Sequence, residues 1–160
     1  MKLYRVTNKR FADVFTGRGA SFDDGARWNS AGHPVIYFAL DMGTALVEAA
    51  NYHPTPRLVP ASHCKAIYNV APDVAIQRLD LQTLPDDWQT MPYPQSTQRI
   101  GDEFLQSQEA LLLLVPSVAV GIGELSVAVA NPRHPQISQI TLGQIIQPVY
   151  SPRMFSGLRA

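Results

Sequence analysis

Runs of apolar, largely β-branched residues recur along this chain, and two stretches fall instead into the spacing of an amphipathic helix. Leu3 to Val6 reads as a short strand, and Val35 to Ala39 as a compact β run that Pro34 introduces from its edge. Asp41 then caps a predicted helix through about Tyr52, because Met42, Ala45, Leu46 and Ala49 keep the i, i+3, i+4, i+7 stripe. Glu48 sits at the border of that stripe, nearly a quarter-turn from its apolar centre, where it can face a cleft. His53-Pro54-Thr55-Pro56 ends the helix. Lys65 to Val70 and Ala75 to Leu81 are predicted strands, and a second helix is expected from about Thr97 to Gln106 with Ile100 and Phe104 inward. Leu111 to Val115, Glu124 to Ala130, Ile137 to Thr141 and Ile145 to Tyr150 follow as strands. Strands and helices neither alternate regularly nor segregate into one type, so the expected class is α+β.

Two stretches stand outside this pattern. Residues 16–33 hold four of the ten glycines and many turn formers, and read as a long ordered loop. Residues 82–98 hold Pro85, Pro92 and Pro94 with Trp88 and Tyr93, the composition of a loop laid over the core. Without repeats or charge blocks to divide it, the chain of 160 residues reads as a single domain spanning residues 1–160. A chain of this size removes roughly two-thirds of its unfolded surface from water and needs no covalent staple. Cys64 is the lone cysteine, which excludes a disulfide framework and zinc-ribbon sites and fits a cytoplasmic setting. The N-terminal residues lack the apolar core of a signal peptide, and Ala110 to Val120, interrupted by Pro116, is too short to span a bilayer.

Charge narrows the function further. Thirteen basic residues balance thirteen acidic ones, which argues against nucleic-acid binding through a broad basic face. Ten of those thirteen cations are Arg, the residue suited to planar, bidentate recognition of phosphate or carboxylate, so a small anionic ligand is compatible. A dinucleotide fingerprint fails at Gly17-Arg18-Gly19, where Phe22 stands in place of the third glycine. No Walker-type phosphate loop and no nucleophile elbow is present, and His53, His63 and Cys64 match no common zinc spacing, so no metal is expected.

Six segments carry a more specific signal. Leu3-Tyr4-Arg5-Val6, Gly25-Ala26-Arg27-Trp28-Asn29, Pro34-Val35-Ile36-Tyr37-Phe38-Ala39, Leu46-Val47-Glu48, Leu114-Val115-Pro116-Ser117 and Asn131-Pro132-Arg133-His134-Pro135 occur together in that order, with Trp88 and Gln98-Arg99-Ile100-Gly101-Asp102 between them. In this the chain resembles the RES domain, named for an Arg, a Glu and a Ser, which match Arg27, Glu48 and Ser117 here. The resemblance implies an ADP-ribosyltransferase-like α+β fold with a mixed or antiparallel sheet and flanking helices. It also implies the toxin of a bacterial toxin–antitoxin pair that consumes NAD, by phosphorolysis or hydrolysis, with one lineage ADP-ribosylating a protein. The implied partner is an Xre-like helix-turn-helix antitoxin that blocks the pocket and contacts DNA in this chain's stead, within a larger complex in which a homodimer is compatible.

The residue types suit cleavage of the nicotinamide–ribose bond. Arg27 can clamp a pyrophosphate, with Arg5 assisting or holding the loop. Glu48 can accept from a ribose hydroxyl and set negative charge beside a developing oxocarbenium ion. Tyr37 can stack on nicotinamide or bond through its hydroxyl; Ser117 can contact ribose or phosphate, or orient Glu48. Asn131 can contact ligand or fix its loop. NAD is then a substrate, with inorganic phosphate as the co-substrate of a phosphorolytic reaction and no cofactor required. Outside that family context the same residues have plainer readings: a surface arginine, a solvated glutamate, a core tyrosine, a turn hydroxyl. Two other functions stay open, a protein mono-ADP-ribosyltransferase and a non-catalytic module that binds antitoxin or DNA.

Overall fold

The computed structural model describes residues 1–53, 55–121 and 123–154. Seven strands form one sheet among them: β1 (Lys2–Asn8), β2 (Ile36–Ala39), β3 (His63–Val70), β4 (Ile76–Arg78), β5 (Leu112–Pro116), β6 (Leu125–Ala130) and β7 (Ile140–Ile146). Three helices accompany them, α1 (Ala20–Asp24), α2 (Met42–Ala50) and α3 (Gln95–Ser107). The strand order is β4-β5-β6-β2-β1-β3-β7. All neighbours are antiparallel except β4 and β5, which makes the sheet mixed and the class α+β as expected.

The central strands are apolar on both faces because both are covered. Leu112 and Leu114 of β5, with Ile36, Phe38, Ala128 and Ala130, enter one core together with Leu3 and Tyr68. Leu113 and Val115, with Val127 and Val129, enter a second core that α3 closes through Phe104 and Leu105, beside Trp28 and, at its edge, Tyr37 and Trp88. Burial of each such Leu or Val is worth about 1.5–3 kcal/mol, so residues 111–115 alone anchor the centre of the sheet. Among the described residues no helix is long and apolar enough to cross a membrane.

The departures from the expected elements have local causes. Ile137 to Thr141 and Ile145 to Tyr150 are not two strands; Ile137–Gln139 winds into a 3₁₀ turn and a single strand runs Ile140–Ile146. Gly143, which looks like a break, is absorbed as an extra residue where the pairing with β3 shifts between Ile67 and Tyr68. Ala75 to Leu81 shortens to β4 because the Asp80 carboxylate accepts from the Gln82 N–H and starts a 3₁₀ turn. The 16–33 stretch, expected to be all loop, contains α1, which Gly25 ends at φ +76°.

Candidate functional site

Gly25 opens a tight hairpin in which the Ala26 N–H donates to the Asn29 carbonyl at 2.9 Å, with Arg27 and Trp28 at its tip. Asn29 is wholly buried, and its amide donates to the carbonyls of Ser21 (2.6 Å) and Ser30 (3.0 Å). The Tyr37 hydroxyl on β2 donates to Asn29 Oδ1 at 2.7 Å and accepts from the Trp28 N–H at 3.2 Å. Burial pushes that phenol well above its ordinary pKa, so it remains a neutral donor. Helix α3 holds the hairpin from the other side. Gln98 Nε2 donates to the Ala26 carbonyl at 3.1 Å, and Asp102 accepts from the Ser30 N–H (2.9 Å) and hydroxyl (2.5 Å). A Cβ at Gly101 would lie 1.6 Å from the Trp28 carbonyl oxygen, so only glycine lets the hairpin lie this close to the helix.

The Arg27 guanidinium projects into the 84–94 segment. Its Nη1 donates to the carbonyls of Trp88 and Thr90, the latter at 3.1 Å, and its Nη2 to Met91 Sδ at 3.5 Å. The group also lies over the Tyr93 ring, 5.3 Å from its centroid. Partial burial lowers its pKa, while Tyr93 and Glu48 raise it, and arginine stays cationic throughout.

Glu48 comes from α2, which Asp41 caps by accepting from the Thr44 N–H (2.9 Å) and hydroxyl (2.6 Å). The buried Ser117, just past β5, donates its hydroxyl to Glu48 Oε1 at 2.5 Å. That hydroxyl accepts in turn from the Val120 N–H at 3.2 Å, which orients its proton toward the carboxylate. Asn51 Nδ2 reaches Glu48 Oε2 at 3.5 Å. Tyr52, one residue beyond Asn51, comes beside Tyr93 and Glu48. A held cation and a held carboxylate thus share one region with the rings of Tyr37, Tyr52 and Tyr93. Such a set can bind an anionic group at one end, pack a planar ring, and stabilise positive charge at the other end.

Four of the six residues singled out from the sequence meet here: Arg27, Tyr37, Glu48 and Ser117. Ser117 acts on Glu48, the orienting role among those considered for it. The Tyr37 hydroxyl is engaged by Asn29 and Trp28, so its proton is already donated within the protein. Arg5 and Asn131 lie elsewhere. Tyr4 is opposite Ala39 and Arg5 opposite Ala66, and strict strand alternation therefore turns Arg5 to the Tyr68 face, away from Tyr37. There burial lowers the Arg5 pKa against the neighbouring Tyr68, whose own phenol burial raises to about 12. Asn131 is 1% exposed, its amide donating to the Leu105 carbonyl at 2.9 Å and its Oδ1 accepting from the Arg133 N–H at 3.0 Å, which fixes the loop in the interior. Asn29, Tyr52 and Tyr93 join the region without a sequence signal that singles them out. Asn29 sits within the quoted Arg27 segment but carries no local sign of burial, and the carbonyls on Arg27 are backbone atoms without any sequence signature.

The RES domain family matches residues 2–149. Toxin Res of Yersinia enterocolitica is 35% identical over 135 residues, covering 84% of this chain and 86% of the relative. The Prs ADP-ribosylating toxin of Sphingobium is 32% identical over 146 residues, covering 89% and 88%. Among solved structures, the M. tuberculosis MbcT–MbcA toxin–antitoxin complex holds a chain of the same fold, with a TM-score of 0.73 at 23% identity over 91% of this chain and 82% of that one. By the extent of that family match and the identity to its curated relatives, this chain belongs to the RES domain family.

Proposed function

We propose that this RES-family toxin binds NAD and breaks its nicotinamide–ribose bond. The observation that carries the reading is the Arg27 cation and the Ser117-oriented Glu48 carboxylate facing one region lined by tyrosines. Arg27 takes the pyrophosphate, a tyrosine ring packs on nicotinamide, and Glu48 accepts from a ribose hydroxyl. As the C–N bond breaks, its electron pair leaves with nicotinamide as a neutral molecule, and the ribosyl cation develops beside Glu48. Water or phosphate then donates an oxygen to that carbon and loses a proton. No general acid is needed for so good a leaving group.

The name of the Sphingobium relative favours a second reading, in which a protein side chain is the acceptor. The solved neighbour is a toxin–antitoxin complex, which supports an antitoxin partner for this chain. In this reading the partner is of the Xre-like helix-turn-helix type and blocks the Arg27 end with a carboxylate.

NMR of purified, antitoxin-free protein with NAD, in phosphate and phosphate-free buffers, tests both readings. Loss of NAD to ADP-ribose 1″-phosphate or to ADP-ribose is expected, and Glu48→Gln should slow it about 1,000-fold with thermal stability retained. Labelled protein bands from tagged NAD, formed faster than free ADP-ribose, would favour the protein acceptor. Neither turnover nor binding of NAD would overturn the reading in favour of a non-catalytic binding module.

A further inference from the structure

The segment that receives Arg27 is built by its own polar groups. Thr90 donates both its N–H and its hydroxyl to the Asp87 carbonyl, each at 2.9 Å, and the Trp88 N–H donates to Pro85 at 3.0 Å. The Asp87 carboxylate accepts from the Ser96 hydroxyl at 2.5 Å, which ties the turn to the first turn of α3. The Trp88 side chain packs against the second core. Two consecutive constraints, one polar and one apolar, therefore aim the carbonyls of Trp88 and Thr90 at the same nitrogen, Arg27 Nη1.

Both hydrogens of Nη1 are thereby used. On Nη2 stands only the thioether of Met91, a weak acceptor on a side chain 68% exposed, and among the described residues no acceptor lies on Nε. A guanidinium grips a pair of anionic oxygens through two parallel N–H bonds along one edge. With Nη1 engaged, the edge that serves is Nε/Nη2. Carbonyls orient the group without neutralising it, so its charge remains for the ligand.

We propose that the Asp87–Thr90 turn is the positioning element of Arg27, with Asp87 and Thr90 acting through it as positioning residues, and that an anionic oxygen pair enters on the Nε/Nη2 edge in place of the Met91 sulfur. The identity of that pair as the NAD pyrophosphate rests on the function proposed above. A free arginine side chain gives up much rotamer entropy on binding; one held in place beforehand gives up less, and the ligand gains the difference.

The Asp87–Ser96 bond is exposed, so its removal tests positioning without threatening the fold. NAD affinity is measured by calorimetry in the Glu48→Gln background, and KM and kcat in the active protein. Asp87→Ala should weaken NAD binding and raise KM about 10-fold, with kcat within about 2-fold. Asp87→Asn keeps an oxygen for Ser96 and should restore affinity to within about 2-fold. In an Arg27→Ala background, Asp87→Ala should have no further effect, the mark of a residue that acts through Arg27. Independently of any ligand, the ¹⁵N side-chain signal of Arg27 should report restricted guanidinium rotation in the wild type and Asp87→Asn, and free rotation in Asp87→Ala. Unchanged Arg27 dynamics in Asp87→Ala, or an equal loss of affinity with and without Arg27, would overturn the proposal. A wild-type protein that fails to bind NAD would remove the functional reading alone, and the NMR signal would still decide the positioning role.

Discussion

The two charged ends of the site are built in opposite ways. Glu48 sits on a nine-residue helix with its own N-cap, and its nearest helpers are Asn51, three residues on, and one hydroxyl from Ser117. Arg27 sits at the tip of a hairpin with no regular structure of its own and is held by Tyr37, Gln98, Asp102, Gly101 and the carbonyls of Trp88 and Thr90. A carboxylate needs only one good donor to be aimed, and a helix supplies the frame. A long, flexible cation needs several acceptors from different elements. The Arg27 end should accordingly be the more fragile of the two, and damage to it should arise from positions far along the chain.

The sharpest break of this comparison is Gly101→Ala. The new methyl would meet the Trp28 backbone rather than a yielding side chain, so the hairpin must lift from α3. A loss of about 3 kcal/mol is expected by thermal or urea denaturation, with NAD binding lost together with it. A Gly101→Ala protein of wild-type stability and affinity would show that the hairpin does not depend on this contact.

A milder disturbance is expected at the other end. Ser117→Ala removes one hydroxyl from Glu48 while α2 stays in place, and kcat should fall about 10-fold with KM little changed. An effect as large as that of Glu48→Gln would mean that Ser117 touches substrate itself.

The smallest effect tests how local the frame of Glu48 is. Thr44 holds the Asp41 carboxyl below the ordinary carboxylate range, so this cap contributes stability that is fully present above the unfolded pKa and fades as pH falls through the lower, folded value. Asp41→Ala should cost about 1 kcal/mol at neutral pH, and the difference from wild type should shrink in the acid range below about pH 4. A difference that persisted unchanged into strong acid would assign the effect to something other than the charged cap.

Legibility in the sequence follows the same division. The α2 stripe, its Asp41 cap and the border position of Glu48 follow from local spacing, and α2 ends within two residues of where that spacing runs out. The apolar runs of β2, β5 and β6 are equally plain, whereas the β7 sequence reads as two strands because a bulge at Gly143 looks, in one dimension, like an interruption. Arg5 and Arg27 make the contrast at the level of single residues. Both are arginines in segments of the family pattern, yet one lies at the candidate site and the other on the opposite face of the sheet, since a strand's alternation sends Arg5 wherever the register of β1 against β2 and β3 directs it. Asn131 is likewise legible as a loop-fixing residue, whereas its burial beneath the Leu105 carbonyl comes only from the fold.

What the sequence determined by itself was therefore the class of fold, the family, and the identity of the charged and hydroxyl groups that meet: these depend on local periodicity, capping and short motifs that the chain carries wherever it goes. The tertiary structure alone decided which face each strand residue took, that Tyr37 spends its hydroxyl on the Asn29–Trp28 hairpin, and that Arg27 is held by carbonyls 61 and 63 residues away. Those outcomes rest on backbone atoms and long-range register, and a backbone carbonyl is the same at every position of a sequence until folding gives it a direction.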